Sequence, residues 1–334
     1  MRALVTGGAG FIAHHVIDEI LNRTDWDVVS LDRLDYSGNL NRLHNVLENS
    51  PHKSRVKIVF HDLKAEINPH VVSHIGKVDI ILHLAAGSHV DRSIDFPMEF
   101  ALDNTIGTLN ILQYSRTQDL QRFVYFSTDE VFGPAPDGVK YKEQDRYNST
   151  NPYSASKAAA EEFCVAFENT YQLPIYITHT MNVFGERQSP EKFIPLCTRR
   201  IHKGEKITIH SDPSKTKAGS RHYIHARDVA DALLFLLHQP TISMVDYGGA
   251  KCPKFNIVGK EEWDNLRVAT TISDIQNKPL HYEMVDFHSS RPGHDLRYAL
   301  DGSLMQKLGW VPQMDVMERL RQTVFWSLKN EEWL

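Results

Sequence analysis

Ala3-Leu4-Val5-Thr6-Gly7-Gly8-Ala9-Gly10-Phe11-Ile12-Ala13 decides the fold. An apolar run short enough for a buried strand leads into a glycine turn, and helix-compatible sequence then continues to Leu21. Glycines at Gly7 and Gly10 permit a tight turn and let backbone amides, with those of Phe11 and Ile12, approach a pyrophosphate at the positive end of the helix. Ala13 stands at the third glycine position of this fingerprint, which governs helix packing rather than phosphate approach. Further apolar runs follow at Val28 to Asp32, Val56 to Phe60, Val78 to Ala86, Phe123 to Ser127 and Ile175 to Thr180, separated by helix-length segments. Strands without clear alternation, spaced in this way, predict an α/β fold: a Rossmann-type, doubly wound parallel sheet covered on both faces.

Beyond Asn182 the rhythm changes to shorter mixed elements with more Pro and Lys. The expected division is a dinucleotide-binding domain over residues 1–181 and a smaller, mixed α/β substrate-binding lobe over 182–334, with about 221–240 packing back on the first domain. Asp32 ends the second strand, where a carboxylate accepts both ribose hydroxyls of an adenosine and repels a 2′-phosphate, so NAD is favoured over NADP. Arg33 beside it pulls the other way. Asp62, after the third strand, is placed to meet the adenine edge, a position where a loop-capping aspartate is equally at home.

Composition limits the rest. A net charge of -5 over 334 residues, with signs interspersed, argues against a nucleic-acid partner. No basic start precedes an apolar N-terminal segment, and no apolar run is long enough to span a bilayer, so the protein is expected to be soluble and cytoplasmic, without a membrane partner. Cys164, Cys197 and Cys252 are odd in number and widely spaced, as reduced thiols would be. Among 18 histidines none falls in a HExxH pattern, and the pairs His14/His15 and His222/His225 lack companion ligands, so no metal is expected. The polar stretch Ser211 to Ser220 reads as a surface loop.

Catalytic chemistry is concentrated in two segments. Ser127-Thr128-Asp129-Glu130 follows a buried strand, at the carboxyl edge where open α/β sheets place ligands. Asn151-Pro152 opens a helix in which Tyr153 and Lys157 are four residues apart and share one face. A free phenol has a pKa of about 10, and a neighbouring ammonium favours its ionised form, which makes Tyr153 a usable general base. Two adjacent carboxylates can divide acid and base roles, because repulsion and desolvation keep one protonated while the other ionises. Adjacency alone does not say which does which.

These segments, together with Leu84-Ala85-Ala86, Ser88-His89-Val90-Asp91-Arg92-Ser93, Asn104-Thr105-Ile106-Gly107-Thr108, Asn182-Val183-Phe184-Gly185, Pro190-Glu191-Lys192-Phe193 and Arg291-Pro292-Gly293-His294-Asp295, resemble an extended short-chain dehydrogenase/reductase almost end to end. Within that family the chain is most similar to the nucleotide-sugar 4,6-dehydratases. The resemblance implies NAD held by Gly7, Gly10, Phe11, Ile12, Asp32, Asp62, Leu63, Ala85, Ala86, Thr105, Tyr153 and Lys157. It implies a nucleotide-sugar substrate, a dTDP- or UDP-hexose, held by Ser88, Asn182, Lys192, Arg221, Asn256 and Arg291. It implies that Tyr153 takes the sugar O4 proton as the C4 hydride passes to NAD, with Thr128 bonded to the same oxygen. Glu130 then removes the C5 proton, protonated Asp129 donates to the departing C6 hydroxyl, and the hydride returns to C6. A 4-epimerase or UDP-glucuronate decarboxylase would share Tyr153 and Lys157 without using the Asp129/Glu130 pair, and a non-catalytic NAD-binding protein would need neither. A homodimer through helices around Pro97 to Ser115 and Tyr153 to Thr170 is also implied. Gly87 departs from the pattern, where these enzymes usually carry a glutamate, and the Ser211 to Ser220 segment is longer than usual.

Overall fold

The apolar runs form strands at Arg2–Thr6 (β1), Asp27–Asp32 (β2), Val56–Phe60 (β3), Ile80–His83 (β4), Arg122–Thr128 (β5) and Ile175–Thr180 (β6) in the computed structural model, which describes residues 1–48, 50–240, 242, 252–286 and 297–334. All pair in parallel, in the order β6-β5-β4-β1-β2-β3. From β1 the chain winds outward through β2 and β3, then returns to β4 on the other side. The switch point between β1 and β4 opens a crevice at the carboxyl ends of the strands, where such sheets bind their ligands. β4 is shorter than the sequence predicts, because Leu84, Ala85 and Ala86 leave the ladder to line that crevice. The departure is pinned by the Ala85 amide, which donates to Thr6 Oγ1 at 3.2 Å.

A seventh strand, Lys254–Ile257, extends the sheet beyond β6, in parallel. No apolar run announces it, since two of its four residues are polar, yet all four are buried. Lys254 Nζ lies 3.6 Å from Glu161 and Asn256 Oδ1 meets His179 Nδ1 at 3.0 Å, so interior partners satisfy the polar groups. This strand thus returns to the first lobe's sheet from beyond the 221–240 stretch expected to pack back on it.

Helix Phe11–Arg23 covers one face of the sheet with helix Ala226–His238, while Gly107–Ser115 and Pro152–Tyr171 cover the other. A separate apolar core, including Phe184, Ile194, Ile209, Trp263, Ile272 and Leu320, builds the second lobe around helices Phe193–Lys203, Asn265–Gln276 and Val316–Lys329. Arg319 ties that lobe back to the first helical layer through a buried two-pronged pair with Asp228, at 2.6 and 3.0 Å. Cys164, Cys197 and Cys252 are free, buried thiols. Among the described residues no helix is long and apolar enough to cross a membrane, and no cluster of His, Cys, Asp or Glu could hold a metal.

Removing one partner of a buried ion pair leaves the other charge uncompensated, so Asp228→Ala is expected to lower unfolding stability by about 3–5 kcal/mol in urea denaturation. A loss below about 1 kcal/mol would show that the pair does not hold the lobes together.

Candidate active site

The cofactor crevice is shaped by backbone first. Gly7 has φ +69°, and a Cβ there would lie 2.9 Å from the Ala85 backbone; one on Gly10 would lie 2.8 Å from the Gly7 carbonyl oxygen. Only glycine allows that approach. Gly10 is the N-cap of Phe11–Arg23, so the first-turn amides of Phe11 and Ile12 lie at the positive end of a 13-residue helix. Gly7, Gly10, Asp32, Asp62, Leu63, Ala85 and Ala86 line one crevice. Asp32 accepts from the Ala9 amide at 3.0 Å and the Leu34 amide at 2.8 Å, which fixes its carboxylate at the rim while leaving lone pairs for ribose hydroxyls. The residues present fit NAD. Thr105 lies outside that lining, with Oγ1 donating to the Ser156 carbonyl.

Catalytic candidates converge where β5 ends. Thr128 caps a short 3₁₀ turn over Asp129–Phe132, accepting from the Glu130 amide at 3.3 Å and donating to Asp129 Oδ1 at 3.1 Å. Asp129 is only 5% exposed, and its Oδ2 has no hydrogen-bond partner. Burial, and then the neighbouring Glu130 carboxylate, push its pKa up to about 7, against the pull of Arg221. Glu130 is held differently: its Oε2 accepts from Asn151 Nδ2 at 3.1 Å. Two adjacent carboxyls therefore have separate environments, one dry and one anchored by an amide.

Asn151 is also the N-cap of Pro152–Tyr171, in a reciprocal capping box with Ser154. Two residues on, Tyr153 is buried against Val90 and Phe100, with its phenol near Thr128. Burial and the Glu130 charge raise its pKa. The expectation that Lys157 lowers it is corrected here: Lys157 Nζ donates to the Phe126 carbonyl at 2.7 Å and sits 4.3 Å from the Tyr125 ring centre. Spacing of four places the lysine on the tyrosine's face of the helix, but its ammonium hydrogen-bonds a strand carbonyl. Burial brings the Lys157 pKa down to about 8, with Glu161 opposing.

Of the residues expected to bind substrate, Ser88 and Asn182 are exposed, and Lys192 is the N-cap of Phe193–Lys203. His89 and Glu191 approach to 3.9 Å, which brings the Pro190-Glu191-Lys192 segment up to the Ser88 loop. Arg221 lies over the Tyr298 ring at 4.7 Å and is near enough to Asp129 to influence its ionisation. Asn256 is a correction. It is fully buried, and Nδ2 donates to the Tyr141 and Asp301 carbonyls while Oδ1 faces His179, so it braces the sheet edge and does not reach a ligand. Arg291 and its motif lie outside the described residues.

Sequence reasoning missed Asn104, which projects inward from a π-helical stretch, Ala101–Ile106. It donates to the Gly87 carbonyl and Ser156 Oγ and accepts from the Gly87 amide, tying the crevice loop to the catalytic helix. π-turns are frequent at functional sites, but nothing in the local sequence marks this one. Glu161 was missed as well: buried, it accepts from Ser127 and Tyr147 and meets His179 at 3.1 Å, with His179 and Lys254 holding its pKa at about 2 against burial.

The profile of the family described as GDP-mannose 4,6 dehydratase matches residues 4–323. A dTDP-glucose 4,6-dehydratase of Escherichia coli is 35% identical, over 100% of this chain and 95% of its own length. A trifunctional UDP-glucose 4,6-dehydratase/epimerase/reductase of Arabidopsis thaliana is 36% identical, over 99% of this chain and 47% of its own. Among solved structures, a dTDP-glucose 4,6-dehydratase of Streptomyces venezuelae with NAD and TYD bound superposes with TM-score 0.86 at 32% identity, covering 100% of this chain and 98% of that one. A sheet wound around an NAD crevice, and a match along nearly the whole chain, thus agree: the protein belongs to the GDP-mannose 4,6 dehydratase family, within the extended short-chain dehydrogenases/reductases.

Proposed function

We propose that the protein is a lyase, an NAD-dependent 4,6-dehydratase that converts a dTDP- or UDP-glucose to its 4-keto-6-deoxy product. The observation that carries this reading is the Asp129/Glu130 pair. A buried carboxyl with pKa about 7 and a free oxygen is a proton donor at neutral pH, and it stands beside a carboxyl anchored by Asn151. Elimination of water needs such a pair: a base for the carbon-bound proton and an acid for the departing hydroxyl. An epimerase or decarboxylase has no evident use for it. NAD, when bound, supplies a reversible hydride store, so the sugar is oxidised at C4 and reduced at C6 without net consumption of cofactor.

The chain's own groups divide the proton work. Tyr153, beside Thr128, takes the O4 proton as the 4-keto group forms. The ketone acidifies C5–H, Glu130 removes that proton, and Asp129 gives its own to the C6 oxygen, so one water leaves. Because burial and the Glu130 charge raise the Tyr153 phenol, its ionisation requires more positive charge than Lys157 alone gives, as a cationic ligand would add. Lys192 and Arg221 are suited to the nucleotide's phosphates. The lobes follow the division 1–181 for cofactor and mainly 182–334 for substrate. The site of action is cytoplasmic, in keeping with three reduced cysteines.

A homodimer is part of the reading. Met98, 70% exposed, Leu102 and Ile106 recur every four residues beside Phe163 and Tyr171 on the adjacent catalytic helix, leaving large apolar groups in water.

Four outcomes test this. The Asp129→Asn, Glu130→Gln double variant should lose at least about 100-fold in kcat while still binding NAD by calorimetry, and substantial retained turnover would sink the mechanism. Asp129 is protonated below its pKa and ionised above it, so kcat/KM should fall as pH rises through about 7. For the same reason Asp129→Asn should melt higher than the parent at pH 8, with the advantage shrinking as pH falls toward the ordinary carboxylate range; a pH-independent difference would contradict the raised pKa. Sedimentation at micromolar concentration should show a dimer, which Met98→Lys with Leu102→Asp converts to monomer; a monomeric parent would remove the claim.

A further inference from the structure

One wall of the cofactor crevice carries a charge arrangement that the hydride and proton chemistry does not use. Arg33 follows the ribose-facing Asp32, where an arginine side chain ordinarily receives the 2′-phosphate of NADP. In this protein its guanidinium is already occupied on both edges. Asp103 takes Nη1 at 2.5 Å and Nη2 at 2.7 Å, while Asp35 takes Nε at 3.1 Å and Nη2 at 2.6 Å. Asp62 stands 3.5 Å from Nη1.

The two carboxylates have different standing. Asp35 lies two residues from Arg33 and also organises its own loop, accepting from the Ser37 amide and hydroxyl. Asp103 comes from the opposite wall, on the π-helical stretch Ala101–Ile106, and is the most buried of the three acids around the guanidinium. Its paired oxygens meet the arginine in the two-pronged geometry that suits a phosphate equally well. Gly87 faces it: a Cβ at that position would lie 3.5 Å from Asp103 Oδ2, an ordinary contact distance, and 3.2 Å from the Phe100 ring, which would have to give way. Counting all the charged side chains that line the crevice, Asp32, Asp35, Asp62 and Asp103 outnumber Arg33 and Lys64. A 2′-phosphate, with a charge of about -1.5 to -2 at pH 7, would enter a field already negative.

We propose that Asp103 determines cofactor specificity, by occupying the Arg33 guanidinium from across the crevice so that it cannot receive a 2′-phosphate. Asp32 rejects the phosphate by repulsion, and Asp103 withholds the cation that would offset it. This inference rests on the crevice being the NAD site and is independent of which sugar is processed.

Binding of NAD and NADP to protein stripped of cofactor, measured by isothermal titration calorimetry, reads the effect without turnover. Asp103→Asn keeps shape and removes one charge. It should tighten NADP binding by about 10- to 100-fold, the worth of a charge-assisted contact, with NAD affinity changed by less than about threefold. Arg33→Gln added to that variant should cancel the gain. Unchanged NADP affinity in an Asp103→Asn protein that still binds NAD overturns the proposal. Arg33→Gln alone supplies a test that does not need the Asp103 variant to fold. It should leave NADP affinity as in the parent, because the guanidinium is already engaged, and a tenfold loss would show that Arg33 reads the phosphate after all.

Discussion

One amide side chain, Asn151, joins the two halves of the catalytic centre. Its Oδ1 accepts from the Ser154 amide and starts the helix that carries Tyr153 and Lys157, while its Nδ2 donates to Glu130 at the end of β5. Helix capping, usually a matter of about 1 kcal/mol of local stability, here also fixes the distance between a phenol and a pair of carboxylates. With Glu130 turned toward the amide, Asp129 is left in the dry interior with one oxygen unpartnered, and the difference in their environments follows. Shifting the helix start by one residue would rotate Tyr153 by about 100° away from Thr128.

Beneath this junction lies a second layer of buried polar groups. Asn104 locks the Gly87 backbone to Ser156, and Glu161 gathers Ser127, Tyr147 and His179 below the catalytic helix. Such groups are tolerated because each is satisfied, and fully satisfied networks hold a core in one arrangement. Asn104 and Glu161 lie outside the crevice lining, yet they make the positions of Thr128 and Lys157 a property of the fold rather than of flexible loops.

What was legible in the sequence follows from range. The glycine turn, the buried strands and the Tyr153/Lys157 spacing are local patterns, and their backbone consequences can be read residue by residue. The strand Lys254–Ile257 escaped, since its polar residues are buried by virtue of partners at least 45 residues away, Asn256 with His179 and Asp301 among them. Asn256, a ligand by resemblance, is for the same long-range reason a brace. The sign of the Tyr153 perturbation was also out of reach: spacing gives the neighbourhood of Lys157 but not the burial and the Glu130 charge that raise the phenol. Arg33 read as a counterweight to Asp32, and its engagement by Asp103 depends on a contact spanning 70 positions.

The most direct measurement is mass spectrometry of the product formed from dTDP-glucose or UDP-glucose labelled with deuterium at C4. The account predicts loss of one water with the deuterium retained, now on C6, and no accumulation of reduced cofactor. A product of unchanged mass would contradict the assignment of Asp129 and Glu130 as the acid and base of an elimination, and loss of water together with the label to solvent would contradict return of the C4 hydride to C6.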